Sequence, residues 1–322
     1  MNSKSNQKVI IKCAHIQITD HLILGVLKHF IDSGHYTPKY FDVQCECMIS
    51  WNPVGNALEE GTIDAGFVQA PVAIDLFSIN VPIKILLLTH KNGSIAVRTY
   101  NANEPGIDPQ TLVHYLTNKC LYIPHMLSVQ HMLAFKYFQE IGLSPGLSDN
   151  PDANLFFEVL PPVLMPQFLV DNDEVGGFSV AEPIGSLAIQ QGKAERIFYS
   201  GEIWNNHPCC VLAMRDEMIN TYPDAVQEFI NMLVMAGRFI TDNLEESSKI
   251  AVSFLDPQNN LGLTEKLIRQ VLSQPSGITT DDLMPNLEDI DYLQKYMHKT
   301  MGFGSIVDLE KLVDLRFAQN IC

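Results

Sequence analysis

The run Val9-Ile10-Ile11-Lys12-Cys13-Ala14-His15-Ile16 and the residues that follow it decide the reading of this chain. The run is short, apolar and rich in β-branched residues, which marks a strand. Over residues 20–33 the period changes: Leu22, Val26, Leu27 and Phe30 recur at helical spacing. Thr19 or Asp20 can cap that helix and Gly34 can end it. Working outward, residues 41–49 read as a strand, 53–60 as a helix closed by Gly61, 63–68 as a strand, and 71–77 as a helix with Pro71 in its first turn. Strands 83–89 and 94–98 flank His90-Lys91-Asn92-Gly93, and Asn-Gly predicts that they pair as a hairpin. Such alternation builds a mainly parallel sheet with helices on its faces.

Residues 101–108 have no periodicity and predict a crossing to a second lobe. The alternation then restarts, with helix 112–116, strand 120–124, helix 128–141 closed by Gly142, strand 156–160, helix 163–170, strand 175–180, helix 183–191 and strand 196–199. A strand over 207–214 returns to the first lobe. Beyond Pro223 only helices are expected, at 223–243, 246–254, 264–272, 287–301 and 306–315, clasping the outside of the sheets. The expected division is residues 8–100 and 205–322 in lobe one and 101–204 in lobe two.

Composition narrows the function. The 322 residues are 46% hydrophobic and 18% charged, with a net charge of −16. Without a local Lys/Arg cluster, such a chain is repelled by nucleic acid and anionic lipid. No window of about 18 apolar residues exists, so no membrane span is expected. Residues 1–8 are polar and lack the apolar core of a secretory signal, so the chain is cytoplasmic if Met1 is its native start, or has lost a signal. Seven cysteines, an odd number in a long chain, imply no disulfide framework, and most lie in apolar runs where burial is expected.

The common phosphate-loop, dinucleotide, zinc-protease and nucleophile-elbow signatures are absent. Cys45 and Cys47 have no second pair to complete a zinc site. His125, His131, His207, Cys209 and Cys210 could meet as metal ligands, but scattered histidines are the simpler reading; no metal or cofactor is expected. More telling, several strands end in a short polar turn before a helix start: residues 15–19, 69–71, 124–128 and 181–183. Helix N-termini offer free N–H groups, and open α/β sheets bind ligands beyond their strands' carboxyl ends. Two lobes of this kind form a cleft for a small, often anionic molecule.

Glu59-Glu60-Gly61-Thr62-Ile63-Asp64-Ala65-Gly66 resembles a segment of the solute-binding proteins of nitrate/sulfonate/taurine/bicarbonate ABC transporters. In the same order, 92–97, Gly177-Phe178-Ser179-Val180-Ala181-Glu182-Pro183, Ile203-Trp204-Asn205-Asn206-His207-Pro208 and 222–226 resemble further segments of that family, over residues 8–255. The resemblance implies a two-lobed type II periplasmic-binding-protein fold and a non-catalytic, monomeric binder. It would close about a hinge on a small solute and deliver it to an ABC permease, at a periplasmic or cell-surface location if a signal was removed. The alternative is a cytoplasmic sensor, or an enzyme like the more distant thiamin pyrimidine synthase. Where anion-binding relatives carry charged side chains, this chain has Cys209-Cys210, which argues against nitrate.

For lobe one the expected cleft residues are Gln17, Thr19, Trp51, Gln69 and Ser94, with Trp51 either stacking on a planar ligand or packing in the core. For lobe two and the return strand they are His125, Ser128, Gln130, Glu182, His207 and Cys209. Glu182 either accepts from ligand or tethers a helix N-terminus. Strand alternation puts His207 and Cys209 on one face and Cys210 on the other.

Overall fold

The computed structural model describes residues 8–100, 106–169 and 173–321. Five strands form one sheet: β1 (Val9–His15), β2 (Phe41–Cys47), β3 (Ala65–Gln69), β4 (Ile83–Leu88) and β11 (Cys210–Arg215), in the order β2-β1-β3-β11-β4. Six form the other: β5 (Ser94–Thr99), β6 (Lys119–Ile123), β7 (Pro145–Gly146), β8 (Leu155–Val159), β9 (Val175–Ala181) and β10 (Ala194–Tyr199), in the order β10-β5-β9-β6-β8-β7. Helices flank both sheets, and Trp51, Phe41, Phe67, Phe178 and Phe229 are fully buried. Each side chain of that size adds roughly 1.5–3 kcal/mol by burial.

The pairing pattern explains where the site forms. β1 runs parallel to β2 and β3, and β6 parallel to β8 and β9. β11 runs antiparallel to β3 and β4, and β5 antiparallel to β9 and β10. These two odd strands are the first that the chain enters after crossing between sheets. A chain leaving the carboxyl end of one sheet by a short crossing enters the next sheet from the same cleft side, so it must run against its neighbours. The ends of β1, β3, β4, β6, β9 and β10 and the starts of β5 and β11 therefore converge.

This corrects the expected hairpin. β4 does not pair with β5; it pairs with β11, and residues 89–93 are the first crossing. Ser94–Thr99 thus lies in the second sheet, not in the lobe expected to reach residue 100; of the expected crossing at 101–108, residues 101–105 lie outside the described residues. The return strand starts at Cys210 rather than residue 207. Helix 306–315 shrinks to Leu309–Leu312, because Val313 is drawn into a bridge with Ile85. Helix 163–170 splits into Pro162–Leu164 and Met165–Phe168, where Pro166 supplies no N–H; residue 170 lies outside the described residues. Cys13, Cys209 and Cys210 are buried; Cys45 is half-buried and Cys47 exposed because β2 is an edge strand, Cys120 near the start of β6 is half-buried, and Cys322 lies outside the described residues.

The C-terminal helices cover the first sheet's helices and reach the crossing, where Lys91 and Thr279 exchange backbone hydrogen bonds of 2.9 and 3.0 Å. Helix Glu265–Leu272 also lies against Ile184–Gln190 of the other half. Among the described residues no helix is long and apolar enough to cross a membrane.

Candidate functional site

Gln69 ends β3 and precedes a helix whose N-terminus it does not cap with its side chain. That frees its amide to reach across the cleft. Gln69 Nε2 donates to Gln130 Oε1 at 2.9 Å, and Gln69 Oε1 accepts from the Val129 N–H at 3.2 Å. Gln130 Nε2 donates in turn to Ser94 Oγ at 2.9 Å, with Cys209 Sγ 3.6 Å away. The Cys209 thiol donates to Gln69 Oε1 at 3.6 Å. Ser128 caps helix Val129–Glu140 by accepting from the His131 N–H at 3.1 Å, which orients Gln130. Side chains of both halves thus form one fully buried polar layer at the strand ends, bringing together Gln69, Ser94, Gln130 and Cys209 as expected from sequence, with Ser128 as support. Gln130→Leu strands the Gln69 amide N–H group and the Ser94 hydroxyl in a buried position. It is expected to cost roughly 2–3 kcal/mol in chemical denaturation, and a cost below about 0.5 kcal/mol would contradict this layer.

Beside the layer sit two donors with nothing to donate to. His21 Nδ1 accepts from the Ile16 N–H at 2.9 Å, and burial holds the ring neutral, so its proton sits on Nε2. Among the described residues, His21 Nε2 and Trp51 Nε1 are buried without a partner. The His21 ring meets the Trp51 ring edge-on at 6.3 Å and the Phe67 ring at 5.3 Å. Phe67 lies two residues before Gln69 on β3, so both project from one face. Each unanswered donor costs about 1–3 kcal/mol, which an acceptor oxygen would return. Sequence reasoning missed His21, although it sits in the strand–turn–helix step that flagged Thr19. Trp51 comes soon after β2 and begins helix Trp51–Glu60, with its ring packed in the core and its N–H unanswered among the described residues.

The other expected residues hold the halves together or lie elsewhere. Thr19 donates both its N–H and its hydroxyl to the Glu182 carbonyl, each at 2.8 Å. The Glu182 carboxylate accepts from Ser186 N at 2.9 Å and Ser186 Oγ at 2.6 Å, so the tether reading holds. Burial pushes its carboxyl up to about 7 against those two hydrogen bonds. His125 accepts from the Leu127 N–H at 2.9 Å and meets Asn52 Oδ1 at 2.6 Å across the cleft. Gln17 donates to the Leu255 carbonyl at 2.7 Å, away from this layer. His207 contacts its neighbour's carbonyl, Pro208 O, at 3.2 Å, and its ring lies 5.9 Å from the Trp204 ring, tilted by 41°. The expected alternation fails because the strand begins only at Cys210: Cys209 and Cys210 both turn toward the Asp20 carboxylate, at 3.9 and 3.8 Å. Of the five-member histidine and cysteine set, only these two cysteines meet, and their companions are Asp20 and His90.

A cavity of about 540 Å³ opens beside Gly93, Ser94 and Glu182, with Lys266, Gln270 and Gln274 on its far wall.

The profile of the NMT1-like family matches residues 6–254. The nitrate/nitrite binding protein NrtA of Nostoc is 31% identical over 257 residues, which cover 74% of this chain and 56% of that protein. The nitrate import ATP-binding protein NrtC of Synechocystis is 29% identical over 204 residues, 60% of this chain and 29% of its own. The chain therefore spans only part of the length of these relatives. Among solved structures, the ligand-binding component of an ABC-type import system from Staphylococcus aureus, with zinc bound, superposes at a TM-score of 0.82 and 19% identity, covering 98% of this chain and 99% of that one. The periplasmic nitrate-binding protein NrtA of Synechocystis does so at 0.82 and 17%, covering 97% and 88%. The alkanesulfonate-binding protein SsuA of Xanthomonas axonopodis, bound to MOPS, gives 0.73 and 12%, covering 96% and 99%. The fold is that of these binding proteins: two α/β sheets flanked by helices, with a helical C-terminal region.

Proposed function

The chain belongs to the NMT1-like family, and from that premise we propose that it captures a small, oxygen-bearing solute between its two sheets for delivery to an ABC-type import system. Residues 8–90 and 205–322 act as one lobe and 94–204 as the other, closing about the two crossings. The carrying observation is the buried pair of unanswered donors, His21 Nε2 and Trp51 Nε1, beside an amide layer that joins the halves. Donors without fixed charge suit a monoanion or a carbonyl compound. Nitrate, nitrite and alkanesulfonate, named for the relatives, are the first candidates to try, with the uncharged Cys209-Cys210 pair weighing against nitrate. A solute that bridges both halves favours the closed arrangement by its differential contacts. Delivery to a permease implies a periplasmic or cell-surface location.

Thermal-shift and calorimetric titration against nitrate, nitrite, bicarbonate, alkanesulfonates and small carboxylates tests the reading. A true solute at 100 times its Kd adds about 2.7 kcal/mol of stability. Trp51→Phe, which removes one donor and keeps an aromatic ring, is expected to weaken binding roughly tenfold, the worth of one hydrogen bond. Absence of stabilisation by every member of the panel would sink the proposal.

A further inference from the structure

Four buried side chains meet where the two crossings reach the first sheet. Asp20 comes from the turn after β1, His90 from the first crossing, and Cys209 and Cys210 from the end of the second. One donor atom of each lies within 4.8 Å of all the others. His90 Nε2 stands 3.0 Å from Asp20 Oδ2, and the two sulfurs stand 3.9 and 3.8 Å from the same oxygen. We propose that these four residues form a metal site that takes one thiophilic divalent ion of tetrahedral preference, with zinc as the plain case. The site shares Cys209 with the amide layer, but the argument for it does not rest on the solute reading above.

Geometry carries the argument. Ligands held about 2.0–2.3 Å from one tetrahedral ion stand roughly 3.3–3.8 Å from each other. The measured separations of 3.0, 3.8 and 3.9 Å bracket that range. Two sulfurs, an imidazole and a carboxylate select zinc-like ions over magnesium or calcium. The ordinary alternative is a hydrogen-bonded knot around a buried Asp–His pair. It does not account for two consecutive cysteines turned onto one carboxylate.

A methyl group on Gly93 would stand 3.1 Å from His90 Nδ1 and 3.2 Å from Asp20 Oδ1, so the glycine lets the first crossing pack directly against these buried atoms. On binding, the ion displaces whatever protons the liganding His90 nitrogen and the two thiols carry, and these pass to solvent. No electron is transferred. Because the ligands come from both crossings, the bound ion would tie the hinge to the first sheet.

The test uses the full chain, reduced and stripped with chelator, then titrated with Zn²⁺ against a chromophoric competitor and, in parallel, with Co²⁺. One equivalent is expected, with thiolate-to-cobalt absorption and tetrahedral cobalt bands. Cys209→Ser with Cys210→Ser, checked by circular dichroism, should lose the thiolate absorption and weaken Zn²⁺ on the order of 100-fold or more. Cys45→Ser with Cys47→Ser should change neither. X-ray absorption of the zinc-loaded wild type needs no variant and should read two sulfur and two nitrogen or oxygen neighbours. Absence of one-equivalent binding, an all-oxygen and nitrogen shell, or binding that survives in the 209/210 variant and fails in the 45/47 variant overturns the proposal.

Discussion

Lowering the pH from 7 to 5 is expected to cost the fold roughly 4 kcal/mol through two buried histidines alone. Burial lowers His15, which stacks on Phe254 at 4.4 Å, from 6.5 to about 4, although its contact with the Ile16 carbonyl works the other way. Burial likewise lowers His131 to about 4 against its bond to the Met126 carbonyl, with Phe157 and Phe303 packed on its ring. Both are depressed bases. Their stabilisation is complete above the unfolded value near 6.5 and drains away as pH falls toward 4, since the unfolded chain then binds the proton first. Each loses about 2 kcal/mol between pH 7 and 5. Glu182 acts in the opposite sense. Its raised carboxyl stabilises fully below 4.5 and loses that contribution as pH rises through about 7, so acidification returns roughly 2 kcal/mol. Urea denaturation of three proteins at the two pH values separates the signs. His131→Phe should flatten the acid loss by about 2 kcal/mol, and Glu182→Gln should steepen it by a similar amount. Identical pH dependences in the three proteins would refute the assignment.

Gly177→Ala is expected to be among the most damaging single-methyl additions in the chain. Gly177 lies in β9 opposite Arg98 of β5. A Cβ there would stand 2.1 Å from the Val97 carbonyl oxygen and 2.9 Å from Arg98 Cα. Those are backbone atoms of a neighbouring strand, so no rotamer relieves the clash and β5 must part from β9. Overpacking usually costs about 1–3 kcal/mol, and a backbone clash belongs at or above the top of that range. Since β5 carries Ser94, the interlobe layer should loosen with it. Gly176→Ala is the internal comparison: its methyl would meet Leu116 Cδ2 at 2.6 Å, the end of a side chain that can turn away. Denaturation midpoints should order wild type, then Gly176→Ala, then Gly177→Ala well below. A Gly177→Ala protein within about 1 kcal/mol of wild type would mean that the two strands are not packed this closely.

Strand–helix alternation was legible in the sequence because it depends on local period and capping alone. Leu22, Val26, Leu27 and Phe30 face one side at helical spacing, Gly61 ends its helix with φ of 72°, and Ser128 caps the helix that presents Gln130. The candidate layer was legible for a related reason. Gln69 and Ser94 border strands, and strand ends of α/β sheets face the cleft whatever the rest of the chain does. Asn92-Gly93 marks where local reading stops. Both residues adopt the positive φ that the dipeptide favours, 56° and 88°, yet the turn leads from one sheet into the other. Turn chemistry specifies dihedral angles, whereas the partner of β4 is β11, a strand that arrives more than a hundred residues later and takes the place beside it. The same long-range event decides the chemistry. Cys209 and Cys210 meet Asp20 only because β11 enters the first sheet between β3 and β4. Sequence spacing determined which residues end strands and start helices; tertiary pairing between distant segments decided that Asp20, His21, His90 and the cysteine pair would be buried together between the two crossings.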